Sequence, residues 1–329
     1  MPIILLPVTR RSLPFASSLL HFASRLSSPS SSRLQFLICA KSRDLERPLR
    51  AQFPSLLAAH EHEAIPDWSN AKDVQEALGG CEGAILAASG RGGEVIELPS
   101  DPTDEWLRCE QSVASLVTRD HRVVKLSWTE GFVGQRSPSA VGRANYDLEE
   151  ELKGRMGDGQ GAHNLCILRA TTGMDAFLHG RLFDLVCGRT LSMSVKRGRI
   201  AFVHPLDVAE SVVALMENKV DESKENEVLT LAGPEALTFQ DVAKLLSKGI
   251  GDKVTYSHFP LWAVQPARWV HGVPGDAIEE ELAVVRALEA GAQQGLSTDL
   301  MKTLLGYNPR TFYEFVRENA EAWPRTDPL

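Results

Sequence analysis

Hydrophobic positions in this chain fall into short unbroken runs, separated by stretches in which apolar residues recur with the period of a helix. Residues 3–8 are an apolar run of strand length; after a polar turn, Phe15, Leu19, Leu20 and Phe22 have helical spacing. The pattern repeats. Residues 34–40, 58–65, 83–88, 122–126 and 164–169 read as further strands, with helices predicted over 71–78, 104–118 and 145–153. This regular alternation of strands with helices predicts an α/β fold with a doubly wound parallel sheet. Residues 1–170 form this core. Residues 171–329 are expected to return to the sheet and to build a smaller, mostly helical lobe, with helices over 207–218, 240–247 and 277–290. Thr238 and Asp241 have the spacing of an N-cap pair, Ser69 or Asn70 can cap the helix at 71, and His204 positions the helix that starts at 207. The charged run 221–227 reads as a solvated turn.

The turn after the first strand carries the main question. In a sheet of this kind it normally holds three spaced glycines, because only glycine lets the backbone approach a pyrophosphate sitting on the helix N-terminus. Here it holds none. The glycine positions fall on Arg10, Leu13 and Ala16, or, with one residue inserted, the first two fall on Thr9 and Ser12. Side chains where a positive φ is needed cost roughly 1–3 kcal/mol each. Candidate cofactor contacts are therefore hydroxyls and guanidinium groups, Thr9, Arg10, Arg11 and Ser12, in place of amides. The second strand runs into Lys41 and Arg43, where a base would meet the 2′-phosphate of NADP(H); both read equally as solvated loop charges. Ala88 and Ser89, at the end of the fourth strand, complete the cofactor set. The glycine-rich residues 90–93 that follow read as a flexible loop at the sheet edge.

Composition narrows the partners. A net charge of -8 over 329 residues argues against nucleic acid, which needs a positive face. The five cysteines are scattered and never in C-x-x-C spacing, as expected of small buried residues in a reduced compartment. No apolar run approaches the roughly 20 residues of a membrane span. A soluble cytoplasmic monomer or homodimer acting on a small molecule is expected. One competing reading concerns the N-terminus: no acidic residue precedes Asp44 and 27–32 is serine-rich, the composition of an organelle transit peptide. Cleavage there would delete the central strand of the sheet. His60 and His62 share a strand face, but no third ligand accompanies them, so no metal is expected.

Further along, the residues carry a likeness. The strand end Leu126-Ser127, the stretches 165–169, 174–177, 199–210 and 229–239, and the ending 304–315 through Trp323 resemble the NmrA-like branch of the atypical short-chain dehydrogenase/reductases. Asp67-Trp68 and the alanine at position 16 are similar to the fungal ergot-alkaloid reductases of the festuclavine dehydrogenase type within that branch. The resemblance spans nearly the whole chain. It implies a Rossmann-like core, NADP(H), and an enzyme of specialised alkaloid or polyketide metabolism whose small lobe closes over the substrate. Ser127, Trp128 and Thr129 lie at a strand's C-terminal end, where ligands of open α/β sheets bind. Met174, Phe177, Trp262 and Trp269 complete the expected substrate set; the tryptophans would stack on a flat cationic or indolic ligand, with at least one packing between the lobes.

Departures from the family pattern shape the chemistry. Tyr146 would open a Tyr-x-x-x-Lys pair, but position 150 is Glu, and a carboxylate there opposes the proton donation that lysine assists. Ketone reduction by the usual relay is thus disfavoured. An iminium is already cationic and accepts hydride without a proton donor; Asp175, with Glu149 or Glu150, would stabilise it. Asp175, Tyr146 and Glu150 are the catalytic candidates, and NADPH-dependent reduction of an iminium or conjugated double bond is the expected reaction. Two alternatives stay open: a cofactor-independent cyclase or isomerase in which the same residues move protons, and a non-catalytic NADP-sensing regulator, which would be expected to keep its phosphate cradle.

Overall fold

The computed structural model describes residues 2–9, 12–25, 34–40, 43–57, 68, 70–87, 104–128, 131–157, 164–217 and 228–324. In chain order the core comprises β1 (Ile3–Val8), α1 (Leu13–Arg25), β2 (Gln35–Ala40), α2 (Arg43–Gln52), α3 (Ala71–Gly79), β3 (Gly83–Leu86), α4 (Asp104–Ala114), β4 (Arg122–Ser127), α5 (Ala140–Met156) and β5 (Leu165–Ala170). A 3-10 turn, Met174–Leu178, leads to α6 (Gly180–Cys187), β6 (Thr190–Met193), β7 (Ile200–Ala201), α7 (Pro205–Met216) and β8 (Val228–Leu231). Then come β9 (Ala236–Leu237), α8 (Phe239–Ile250), β10 (Thr255–His258), α9 (Leu261–Val270), α10 (Gly275–Glu289), α11 (Asp299–Leu305) and α12 (Phe312–Glu318).

Six strands pair in the order β2-β1-β3-β4-β5-β8, every neighbour parallel. Both faces are covered. Leu5, Leu37, Val123 and Ile167 pack with α3, α4 and α5 on one side, while Ile4, Leu6, Ile85, Val124 and Leu168 pack with α1 and α7 on the other. This double burial is why the strands read as continuous apolar runs rather than alternating ones. The strand order reverses between β1 and β3, so the crevice at their C-terminal ends is the topological switch point where ligands of such sheets bind. β8, which was not among the predicted strands, closes the far edge beside β5. The strand predicted over 58–65 lies outside the described residues, as do His60, His62 and the charged run 221–227; a single parallel bridge from Leu57 to Phe36 sets the preceding chain against β2.

Local signals place several helices. The Asn70 side chain accepts from Lys72 N at 3.1 Å and caps α3. Thr238 and Asp241 form a reciprocal capping box on α8. His204 caps α7, its Nδ1 accepting from Leu206 N at 3.2 Å. The thiols of Cys39 and Cys81 are free and buried, and burial pushes both up to about 12, leaving them protonated. No described helix is long and apolar enough to cross a membrane.

The small lobe is a hairpin of α9 and α10 around Val264, Ile278 and Leu282, braced by Arg268 donating to Glu281 through two bonds of 2.8 Å. Ser139 donates to Glu280 on α10, and Thr172 donates to Gln293 at 3.1 Å just beyond it. Ser139 opens α5 and Thr172 follows β5, so the lobe is tied to the C-terminal edge of the sheet at two points.

Candidate active site

At the turn after β1, hydroxyls stand where glycines were expected, and they face each other. Thr9 N donates to Ser12 Oγ at 2.9 Å and Ser12 N donates to Thr9 Oγ1 at 3.3 Å, a reciprocal capping box with serine in the place usually taken by Glu or Gln. Both residues are buried, at 3% and 1% exposure. Leu13 N donates to Thr9 O at 3.0 Å, Ala16 N donates to Ser12 O at 2.9 Å, and Pro14 has no N–H. These amides are therefore turned into the chain and do not offer the seat that a dinucleotide's diphosphate takes in this fold. As cofactor contacts, Thr9 and Ser12 are corrected: their hydroxyls satisfy the helix end. Ala16, fully buried, keeps the close packing of α1 on the sheet that the third glycine position provides. Arg10, Arg11, Lys41, Ala88 and Ser89 lie outside the described residues; Arg43 begins α2.

The end of β4 supplies a second feature. Ser127 is fully buried on the α5 side of the sheet, and its Oγ has no hydrogen-bond partner among the described residues. A buried orphan hydroxyl is rare and calls for an explanation, a ligand being one. The adjacent Trp128 is buried edge-on against Phe132, ring centroids 5.9 Å apart; Thr129 lies outside the described residues. The Phe132 carbonyl accepts from Ser137 Oγ at 2.6 Å, and this loop packs under the start of α5. A Cβ on Gly142 would collide with that carbonyl, which is why glycine occupies the first turn of α5.

α5 separates the catalytic candidates. Its inward face is Val141, Asn145, Leu148, Glu149 and Leu152. Tyr146 is half-buried, one position off that face, whereas Glu150 is exposed and binds Lys153 at 2.8 Å. Glu150 is thus corrected from a site carboxylate to a surface ion pair. Glu149 is buried but neutralised by a two-point contact from Arg169, Nε at 3.1 Å and Nη2 at 2.5 Å. Asp175 is buried at the start of the 3-10 turn that follows β5 and stands as the remaining acidic candidate.

The expected substrate aromatics divide differently. Phe177 is fully buried in an aromatic cluster, 5.5 Å from Phe202 and 5.2 Å from Phe312, and its carbonyl accepts from Trp323 Nε1 at 3.1 Å. Met174 is buried beside it in the same core. Both are corrected to core residues. Trp262 and Trp269 point outward at 80% and 76% exposure, so neither packs between the lobes; Val264 is the buried residue of α9. A surface groove of about 670 Å³ lies elsewhere, between α8 and β10, lined by Lys244, Lys248, Lys253 and Tyr256.

One cluster had no sequence signal. Lys125 on β4 and Glu110 on α4 are both fully buried and 2.6 Å apart, and Lys125 also donates to Asn145 on α5 at 2.9 Å. A lysine within an apolar strand reads as an outward residue; only a carboxylate on the covering helix allows it to point inward.

No family model matches the chain. Agroclavine dehydrogenase of Claviceps fusiformis is 28% identical over 138 residues, 42% of this chain and 46% of that protein, so the match spans less than half of this curated relative. Among solved structures, triphenylmethane reductase of Citrobacter sp. superposes with a TM-score of 0.69 at 16% identity, covering 98% of this chain and 100% of its own. The NADPH-dependent quinone oxidoreductase QOR2 of Escherichia coli, solved with NADPH, gives a TM-score of 0.69 at 17% identity over 96% of this chain and 99% of its own. At this identity the solved structures show the fold, a Rossmann-like doubly wound sheet, and the partial match to the relative named agroclavine dehydrogenase is a likeness in sequence.

Proposed function

We propose that the chain is an NADPH-dependent reductase of specialised metabolism, acting on an iminium or conjugated double bond of a small alkaloid-like or polyketide-like molecule at the C-terminal edge of the sheet. Ser127 carries this reading: a polar atom of a bound ligand would complete its orphan hydroxyl at the end of β4. The relative named agroclavine dehydrogenase and the likeness to reductases support the reaction class. The substrate class is supported by Glu150. With that carboxylate out at the surface on Lys153, no lysine at position 150 stands beside Tyr146 to assist protonation of an alkoxide, and a cationic acceptor needs none. Asp175, buried where the chain leaves β5, is the carboxylate assigned to such a cation. Arg10, Arg11 and Lys41, with Arg43, are the proposed phosphate contacts, because the described amides of the opening turn, at Thr9, Ser12 and Leu13, are bonded within the chain.

That closed turn favours a second reading, a cofactor-independent cyclase or isomerase in which Tyr146 and Asp175 move protons. The test is NADPH consumption with cyclic iminium and enone substrates. Turnover that Asp175→Asn and Ser127→Ala each lower by about 10-fold or more, with Ser127→Ala leaving unfolding free energy within about 1 kcal/mol, is expected. Product formation without coenzyme oxidation would overturn the reductase and favour the cyclase.

A further inference from the structure

We infer that the described part of the turn between β1 and α1 has exchanged a phosphate-binding role for a capping one, so that no diphosphate is held by the amides of Thr9, Ser12 and Leu13. Three independent features converge on the exchange. First, the Thr9–Ser12 box satisfies reciprocally the two donors that an anion would otherwise take, Thr9 N at 2.9 Å and Ser12 N at 3.3 Å. Secondly, the next amide, Leu13 N, is bonded to Thr9 O at 3.0 Å, and Pro14 removes the donor after it. Thirdly, Thr9 and Ser12 are buried at 3% and 1%, so their hydroxyls are enclosed with each other and do not line an open groove.

A contrast within the same turn gives the inference its direction. The glycine fingerprint does two jobs, approach to phosphate and close helix-to-sheet packing. Ala16 is buried at 1% and keeps the packing job, while the positions that serve the anion carry side chains bonded to one another. The scaffold is therefore retained and one function of it withdrawn. This inference does not rest on the reductase reading: any coenzyme bound to the chain would have its phosphates gripped by side chains outside the box.

Calorimetric titration of NADPH and of inorganic pyrophosphate into the wild-type chain and into Ser12→Ala tests it, together with amide hydrogen exchange at Thr9 and Ser12 in the wild type. The expected result is an NADPH affinity, and a pyrophosphate affinity where side chains bind it, that Ser12→Ala leaves unchanged, and protection of both amides that neither ligand alters. If NADPH fails to bind at all, the inference stands and the reductase reading falls. If the coenzyme binds, Ser12→Ala weakens it by about 10–100-fold, as loss of a hydrogen bond to a charged group would, and the two amides change protection, the inference is overturned and the reductase reading survives. Should the variant fold poorly, hydrogen exchange on the unmodified chain separates the two outcomes by itself.

Discussion

Ser127 and Phe177 lie close to the ends of neighbouring strands, and their surroundings divide them. The Ser127 hydroxyl lacks a protein partner among the described residues, whereas the Phe177 ring has Phe202 and Phe312 within stacking reach. Phe177→Ala should cost about 3–5 kcal/mol in denaturant unfolding, the usual value for emptying an aromatic core position; a fully stable variant with a raised KM would restore it to the substrate site. His204 offers a pH test. Burial, then the neighbouring Arg310 cation, lowers its imidazole to about 3, and it caps α7 in the neutral form with Nε2 3.3 Å from Glu318. An unfolded histidine titrates near 6.5. The unfolded chain therefore binds the extra proton between the two values: the stabilising contribution is complete above about pH 6.5 and is lost as pH falls toward about 3, at up to about 1.4 kcal/mol per pH unit. His204→Asn, which keeps a capping acceptor, should flatten that part of the stability curve. An unchanged slope would mean the imidazole is already charged in the fold.

At the scale of elements, helix ends were the most legible feature. Thr238 with Asp241 caps α8 as its spacing predicts, and Asn70 caps α3. Both signals are local, so the sequence contains everything needed to find them. Thr9 with Ser12 obeys the same rule and was hidden, because serine at the third position is a weak signature and the surrounding pattern called for glycine. The α4–β4–α5 junction was hidden for another reason: Glu110, Lys125 and Asn145 meet only when the helices cover the strand. Glu110→Gln or Lys125→Met alone should destabilise by about 3–5 kcal/mol, since each strands a buried charge. The double variant should recover most of that loss in thermal melts. A double variant as unstable as the sum would show that the pair contributes more than mutual neutralisation.

Across the whole molecule, the small lobe joins the main core through Val284 and Leu288 of α10, and polar anchors flank that apolar contact. Besides Glu280 and Gln293, Glu289 at the end of α10 accepts from the amides of Lys196, Arg197 and Gly198 at 2.8, 2.9 and 3.1 Å. Partial burial pulls this carboxyl up, but those amides outweigh it and hold it below the ordinary range. A lowered acid stabilises the fold above the unfolded value near 4.3 and loses that contribution as pH falls through the folded value. Glu289→Gln should therefore cost about 1 kcal/mol at neutral pH, with the difference from wild type closing below about pH 4. Faster hydrogen exchange confined to α9 and α10 would locate the effect in the lobe; exchange changes spread through the sheet would contradict it.

The sheet was written into the sequence because burial on both faces leaves an unbroken apolar run, and a parallel order needs a helix between runs. The lobe and the site were less so. Trp262 and Trp269 look like core or ligand aromatics from composition, and only packing reveals that α9 turns Val264 inward and both indoles out. Glu149 and Glu150 are neighbours in sequence, yet a helix rotates them about 100° apart, one onto Arg169 and the other into solvent. Periodicity determines which segments form and which side of each is apolar. Which polar groups find partners is set by distances between residues remote in the chain, and that was decided only when the layers closed on one another.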